Sequence, residues 1–111
     1  MANVSFYNPK DIGGFDLGLT QVNKLLPFKT TTGVFLDAPF VKVYKGTILL
    51  KTYTIGDGLT LTGTNEDGTE KTLTLTLNGS DFSSYQKANL KCECSFFIEG
   101  DIEIIFNLLI V

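Results

Sequence analysis

The chain of 111 residues contains no histidine, no arginine and no tryptophan. Each absence closes off chemistry. Without histidine there is no side chain that titrates near neutrality by default, and no imidazole to ligate a metal. Without arginine there is no planar fork for a phosphate or a guanine edge. All nine basic residues are lysines, and twelve acidic residues leave a net charge of −3. An acidic chain with scattered lysines is a poor match for a polyanion, so nucleic acid is not an expected partner.

Cysteine is also scarce. The two present, Cys92 and Cys94, stand in Lys91-Cys92-Glu93-Cys94-Ser95-Phe96. A CxC supplies two thiolates where a zinc site needs four ligands, and there is no histidine to complete one. The spacing also misses the CxxC of redox motifs. On a strand, Cys92, Cys94 and Phe96 share one face, which suits small apolar core residues. The thiols are expected to be reduced, and neither metal nor cofactor is expected.

What the chain has in quantity is alternation. Residues 58–77 read Gly-Leu-Thr-Leu-Thr-Gly-Thr, then Asn-Glu-Asp-Gly-Thr-Glu, then Lys-Thr-Leu-Thr-Leu-Thr-Leu. A period of two places every leucine on one face of a pleated strand and every threonine on the other. This is a β-hairpin with one apolar and one wet face. Further strands are predicted at Val4–Tyr7, Gly33–Leu36, Phe40–Tyr44, Thr47–Ile55, Asn89–Ile98 and Ile102–Val111. Turns fall at Lys45-Gly46, Gly56-Asp57-Gly58, Asn78–Asp81 and Glu99-Gly100-Asp101, with a polar connection over Phe82–Ala88. The expected fold is all-β: an antiparallel sandwich or small barrel of about seven or eight strands with an irregular N-terminal segment.

Residues 1–33 read as an arm or covering segment, and residues 34–111 as the β-sandwich domain. Leu19, Val22, Leu25 and Leu26 fit a short helical face, whereas Phe15, Leu17 and Leu19 fit a strand. Any helix in the protein is expected between Leu17 and Leu26, stopped by Pro27. The first residues lack the basic-then-apolar order of a signal peptide. The apolar run Ile102–Val111 is too short to span a bilayer as a helix. No membrane association is expected.

Sites for catalysis are poorly supported. Ser80, Ser83 and Ser84 have no histidine base and no Gly-x-Ser-x-Gly elbow. Glu99, Asp101 and Glu103 straddle a hairpin turn, where solvated carboxylates are expected rather than a pair set across a cleft. Asp57, Asn65, Glu66, Asp67 and Asp81 could offer oxygen ligands to calcium, but the EF-hand order is absent. Asp and Asn beside glycine are what tight turns favour. Tyr7, Tyr44, Tyr53 and Tyr85 could build a sugar platform or pack a core. The protein is not expected to be an enzyme.

The final strand carries the functional expectation. Ile102, Ile104, Phe106, Leu108 and Ile110 share one face; Glu103, Ile105, Asn107, Leu109 and Val111 share the other. A strand apolar on both faces is covered on both, either by residues 1–33 or by another subunit. Phe6, Tyr7, Ile105, Leu109 and Val111 are therefore the candidate assembly interface. In its untagged N-terminus with a possible arm, Thr-alternating hairpins, lysine without arginine and two-sided last strand, the whole chain resembles small β-rich, histidine-poor bacteriophage virion proteins. That resemblance implies a capsid accessory, decoration or minor capsid subunit. It would be assembled in the host cytoplasm, act by shape, and bind copies of itself or a major capsid protein. The other reading is an adhesin-like or carbohydrate-binding sandwich. It would use the loops Asp37–Pro39, Gly56–Gly58, Asn65–Thr69 and Asn78–Tyr85.

Overall fold

The computed structural model describes residues 14–111, together with the backbone of the strand Ser5–Phe6. The described residues form nine strands: β1 Ser5–Phe6, β2 Gly14–Leu17, β3 Lys24–Thr30, β4 Phe40–Lys45, β5 Ile48–Ile55, β6 Gly58–Thr62, β7 Lys71–Leu77, β8 Asn89–Ser95 and β9 Ile104–Ile110. One sheet joins them in the order β1-β3-β7-β6-β5-β4-β8-β9-β2. The sheet curls into a nearly closed barrel, so that Phe28 of β3 meets Phe106 of β9 with ring centroids 6.2 Å apart. The all-β expectation holds.

Alternation dictates the inner face. Leu73, Leu75 and Leu77 of β7, Leu59 of β6, Val41 and Val43 of β4, and Leu90, Cys92 and Cys94 of β8 all point inward and are buried. Their neighbours point out. In the Leu/Thr hairpin, Leu59 lies opposite Leu75, and Thr60 opposite Thr74. Cross-strand pairs of like character stabilise such a hairpin by roughly 0.2–1 kcal/mol each.

Six of the eight strand pairings are antiparallel; β2 with β9 and β5 with β6 are parallel. The second of these is short: Thr54 with Gly58 and Ile55 with Leu59 are its only pairs. At this corner β5 ends and the chain re-enters the sheet as β6.

Three expectations need correction. No helix lies between Leu17 and Leu26; the helical turn is a 3-10 segment at Gly79–Tyr85, kinked at Phe82. The periodic residues after Leu19 instead lead into β3. Pro27 does not end a helix but sits inside β3, and the antiparallel register with β7 runs through it, Pro27 opposite Thr74. Extended backbone suits the fixed φ of proline as long as its ladder position needs no N–H. Finally, Gly33–Leu36 is not a strand. Its backbone is held by other loops: the amide of Leu36 donates to the carbonyl of Phe96 at 2.8 Å, and Phe35 is bonded through Asn65.

The expected division near residue 33 falls in this loop. On its N-terminal side, β3 lies between β1 and β7 and β2 lies beside β9.

Candidate functional site

The inner face of β9 is sealed: Phe106, Leu108 and Ile110 are buried. The outer face is not. Ile105 is 53% exposed, Leu109 38% and Val111 50%. The register explains why they line up. Ile105 lies opposite Glu93 of β8, and Leu109 lies between Asn89 of β8 and Asp16 of β2. The row is thus rimmed by polar or charged side chains, and the exposed Asn107 interrupts it between Ile105 and Leu109. Beside it, β2 is the last strand of the sheet, with no pairing strand on its far side among the described residues. Of the other interface candidates, Phe6 contributes backbone to β1, opposite Phe28. Tyr7 lies outside the described residues.

The turn Asn and Asp side chains do local work. Asn65 grips the buried Phe35, accepting its N–H at 2.9 Å and donating to its carbonyl at 2.9 Å. The Oδ1 of Asp67 accepts the N–H of Gly33 at 2.7 Å. These bonds tie the 64–68 turn to the loop after β3. Asp81 accepts from the Tyr53 hydroxyl at 3.4 Å. No group of three or more acidic or cysteine side chains that could hold a metal ion occurs among the described residues. Two of the four candidate loops, Gly56–Gly58 and Asn78–Tyr85, line one cleft together with Lys51 and Tyr53. Ser80, Ser83 and Ser84 are exposed on the 3-10 segment.

Glu103 departs from expectation. It is not a solvated hairpin acid. Its Oε1 accepts three backbone amides, from Phe96 at 2.9 Å, Phe97 at 2.5 Å and Ile98 at 3.2 Å. Its Oε2 is buried without a hydrogen-bond partner. The chain leaving β8 curls around this carboxylate, which satisfies donors that no strand can reach. The signal in the sequence is slight: an acid between two isoleucines, just after a Gly-containing turn. Lys71 is a second residue that sequence reasoning passes over. It stands on the leucine face of β7, is 1% exposed, and donates to the carbonyls of Glu66 and Thr69. Its position two residues before Leu73 is the available clue.

Cys92 and Cys94 are free thiols in the core. Burial pushes the Cys92 thiol up to about 12 and raises Cys94 as well, because neither thiolate would be solvated. Thiol labelling of the native protein at mildly alkaline pH is therefore expected to be slow, and to become fast in denaturant. Rapid native labelling would show that the thiols are reachable. The pH effect follows in sign. The unfolded chain gives up the Cys92 proton at about 9, before the native one, so this contribution is intact below pH 9 and is lost as pH rises toward 12.

No protein-family model matches the chain, and no curated protein matches it. Among solved structures it is similar to the CARDB domain of a Pyrococcus furiosus protein, whose crystal structure is of a complex with di-metal ions. The TM-score is 0.43 and the identity 18%, over 100% of this chain and 88% of the other. No residue role is carried across from that likeness.

Proposed function

We propose that the protein is a non-enzymatic structural subunit that acts by assembling, of the capsid accessory, decoration or minor capsid kind. The observation that carries this reading is the outward row Ile105, Leu109 and Val111. Burying apolar surface contributes about 25 cal/mol per Å², and apolar side chains gathered on one exposed strand face, here interrupted by Asn107, can mark an association surface. Beside it, β2 is the last strand of the sheet among the described residues. The partner is a second copy of the chain or the protein of a larger shell.

Leu109→Lys tests the proposal. Since Leu109 is outside the core of the chain, the variant is expected to fold with a stability within about 0.5 kcal/mol of the parent, as surface substitutions do. In sedimentation, the parent should associate with increasing concentration or bind its shell, and the variant should not. A parent that stays monomeric at high concentration and binds no shell protein would overturn the assembly reading.

A further inference from the structure

Because β5 and β6 are joined by only two residue pairs, they diverge beside the corner and leave a cleft of about 400 Å³. Tyr53 forms its floor. The ring fits there because residue 58 is glycine: its φ is +95°, and a Cβ would lie 2.3 Å from Tyr53 Cδ1. The hydroxyl is turned toward Asp81 Oδ2 at 3.4 Å. Burial, followed by the field of Asp81, raises the phenol well above its ordinary value, so it remains a neutral O–H donor. Asp57, from the turn at the corner, adds a second carboxylate acting on the same hydroxyl. Above the ring stands Lys51, its Nζ 5.1 Å from the centroid. Asn78 closes one side. Its Oδ1 accepts the amide of Asn23 at 2.9 Å, and its own NH₂ is a further donor at the cleft.

The lining selects by chemistry. An apolar ligand would strand two carboxylates and an ammonium without water. An anion would face Asp57 and Asp81, and a simple cation would face Lys51. A hydroxyl both donates and accepts. A neutral ligand with adjacent hydroxyls can donate to Asp57 and Asp81 while accepting from Lys51 and Asn78. We propose that the cleft between β5 and β6 is a binding site for a neutral saccharide, held by Lys51, Asp57, Asn78 and Asp81 over the buried ring of Tyr53. This site is separate from the apolar row on β9 and stands or falls independently of it.

The test is an amide-resolved NMR titration of the full chain with a maltose, cellulose and N-acetylglucosamine oligosaccharide series at millimolar concentration. Saturable shifts confined to residues 51–60 and 76–81 are expected with at least one series. Asp57→Asn and Asp81→Asn, which keep side-chain shape, should each weaken that binding by about tenfold or more, the scale of a hydrogen bond to a charged group. Tyr53→Phe removes only the hydroxyl and serves as a third variant that keeps the packing. Absence of saturable shifts with every series would overturn the proposal. So would shifts elsewhere on the protein, or unchanged affinity in the Asp variants. A stronger response of the same residues to putrescine would make the cleft a cation site and equally refute the saccharide assignment.

Discussion

Replacing Phe106 with alanine is expected to cost about 3–5 kcal/mol of folding stability, the range for large aromatic truncations in a sealed core. The ring joins the two margins of the curled sheet. It meets Phe15 of β2 edge-on with centroids 5.4 Å apart and 89° between planes, and Phe28 of β3 at 6.2 Å. Phe28 in turn meets Phe96 at 5.0 Å. All four rings are nearly inaccessible to solvent, so the cavity left by alanine would have little means of collapse. A domain of this size has a total stability of about 5–15 kcal/mol, and the melting temperature should fall by on the order of 15 °C. Chemical denaturation checks the magnitude. A loss under about 1 kcal/mol would mean that the margins are not joined through this ring. A double-mutant cycle of Phe15 with Phe106 should return a coupling of about 0.5–1.5 kcal/mol.

The second large effect belongs to Glu103. Truncation to alanine removes the acceptor shared by the amides of Phe96, Phe97 and Ile98. A buried donor without a partner costs about 1–3 kcal/mol. The Ile98 end of the loop is exposed, so water can replace part of what is lost, and a total of about 2–4 kcal/mol is expected on that scale. Glu103→Gln keeps an oxygen for the three amides and should recover more than half. Its NH₂ would occupy a place where Oε2 already lacks a partner, so recovery should be incomplete. Hydrogen exchange gives the local signature: protection at residues 96–98 should drop in the alanine variant well before the rest of β8 opens. Unchanged exchange there would contradict the clamp.

These two residues mark what a sequence can and cannot reveal. Phe106 is assigned to its face by alternation alone, since Ile104, Phe106, Leu108 and Ile110 keep a strict period of two. The same rule finds β7 to the residue, and β4, β5, β6, β8 and β9 within a few positions at each end. Alternation reports burial on a regular pleat. Where backbone bonds come from side chains, as with Glu103, Asn65 and Asp67, there is no period to detect. In β3, Pro27 argues locally for an ending, and it is pairing with β7, distant in sequence, that carries the strand through it. The Gly79–Tyr85 turn has a similar cause. Gly79 approaches the Gly18 carbonyl so closely that a Cβ would lie 1.9 Å from its oxygen, a contact invisible from either segment alone. The cleft at the β5–β6 corner depends on how two strands diverge, so its loops can be suspected from sequence but not brought together.

The parallel pairing of β2 with β9 has a mechanical consequence. The ladder from Gly14 opposite Asn107 to Leu17 opposite Ile110 is prolonged by bonds from Val111 to Leu17 and from Leu19 to Val111. Tension on the two chain ends reaches β2 at its start and β9 at its finish. In parallel strands these pulls run in opposite directions along the ladder, so its hydrogen bonds are sheared together rather than unzipped singly. Once the two-residue β1 has peeled away, the rate of forced opening is set by breaking this whole patch at once. The same strands that border the apolar row would let the chain, held at both ends, transmit force while keeping its fold.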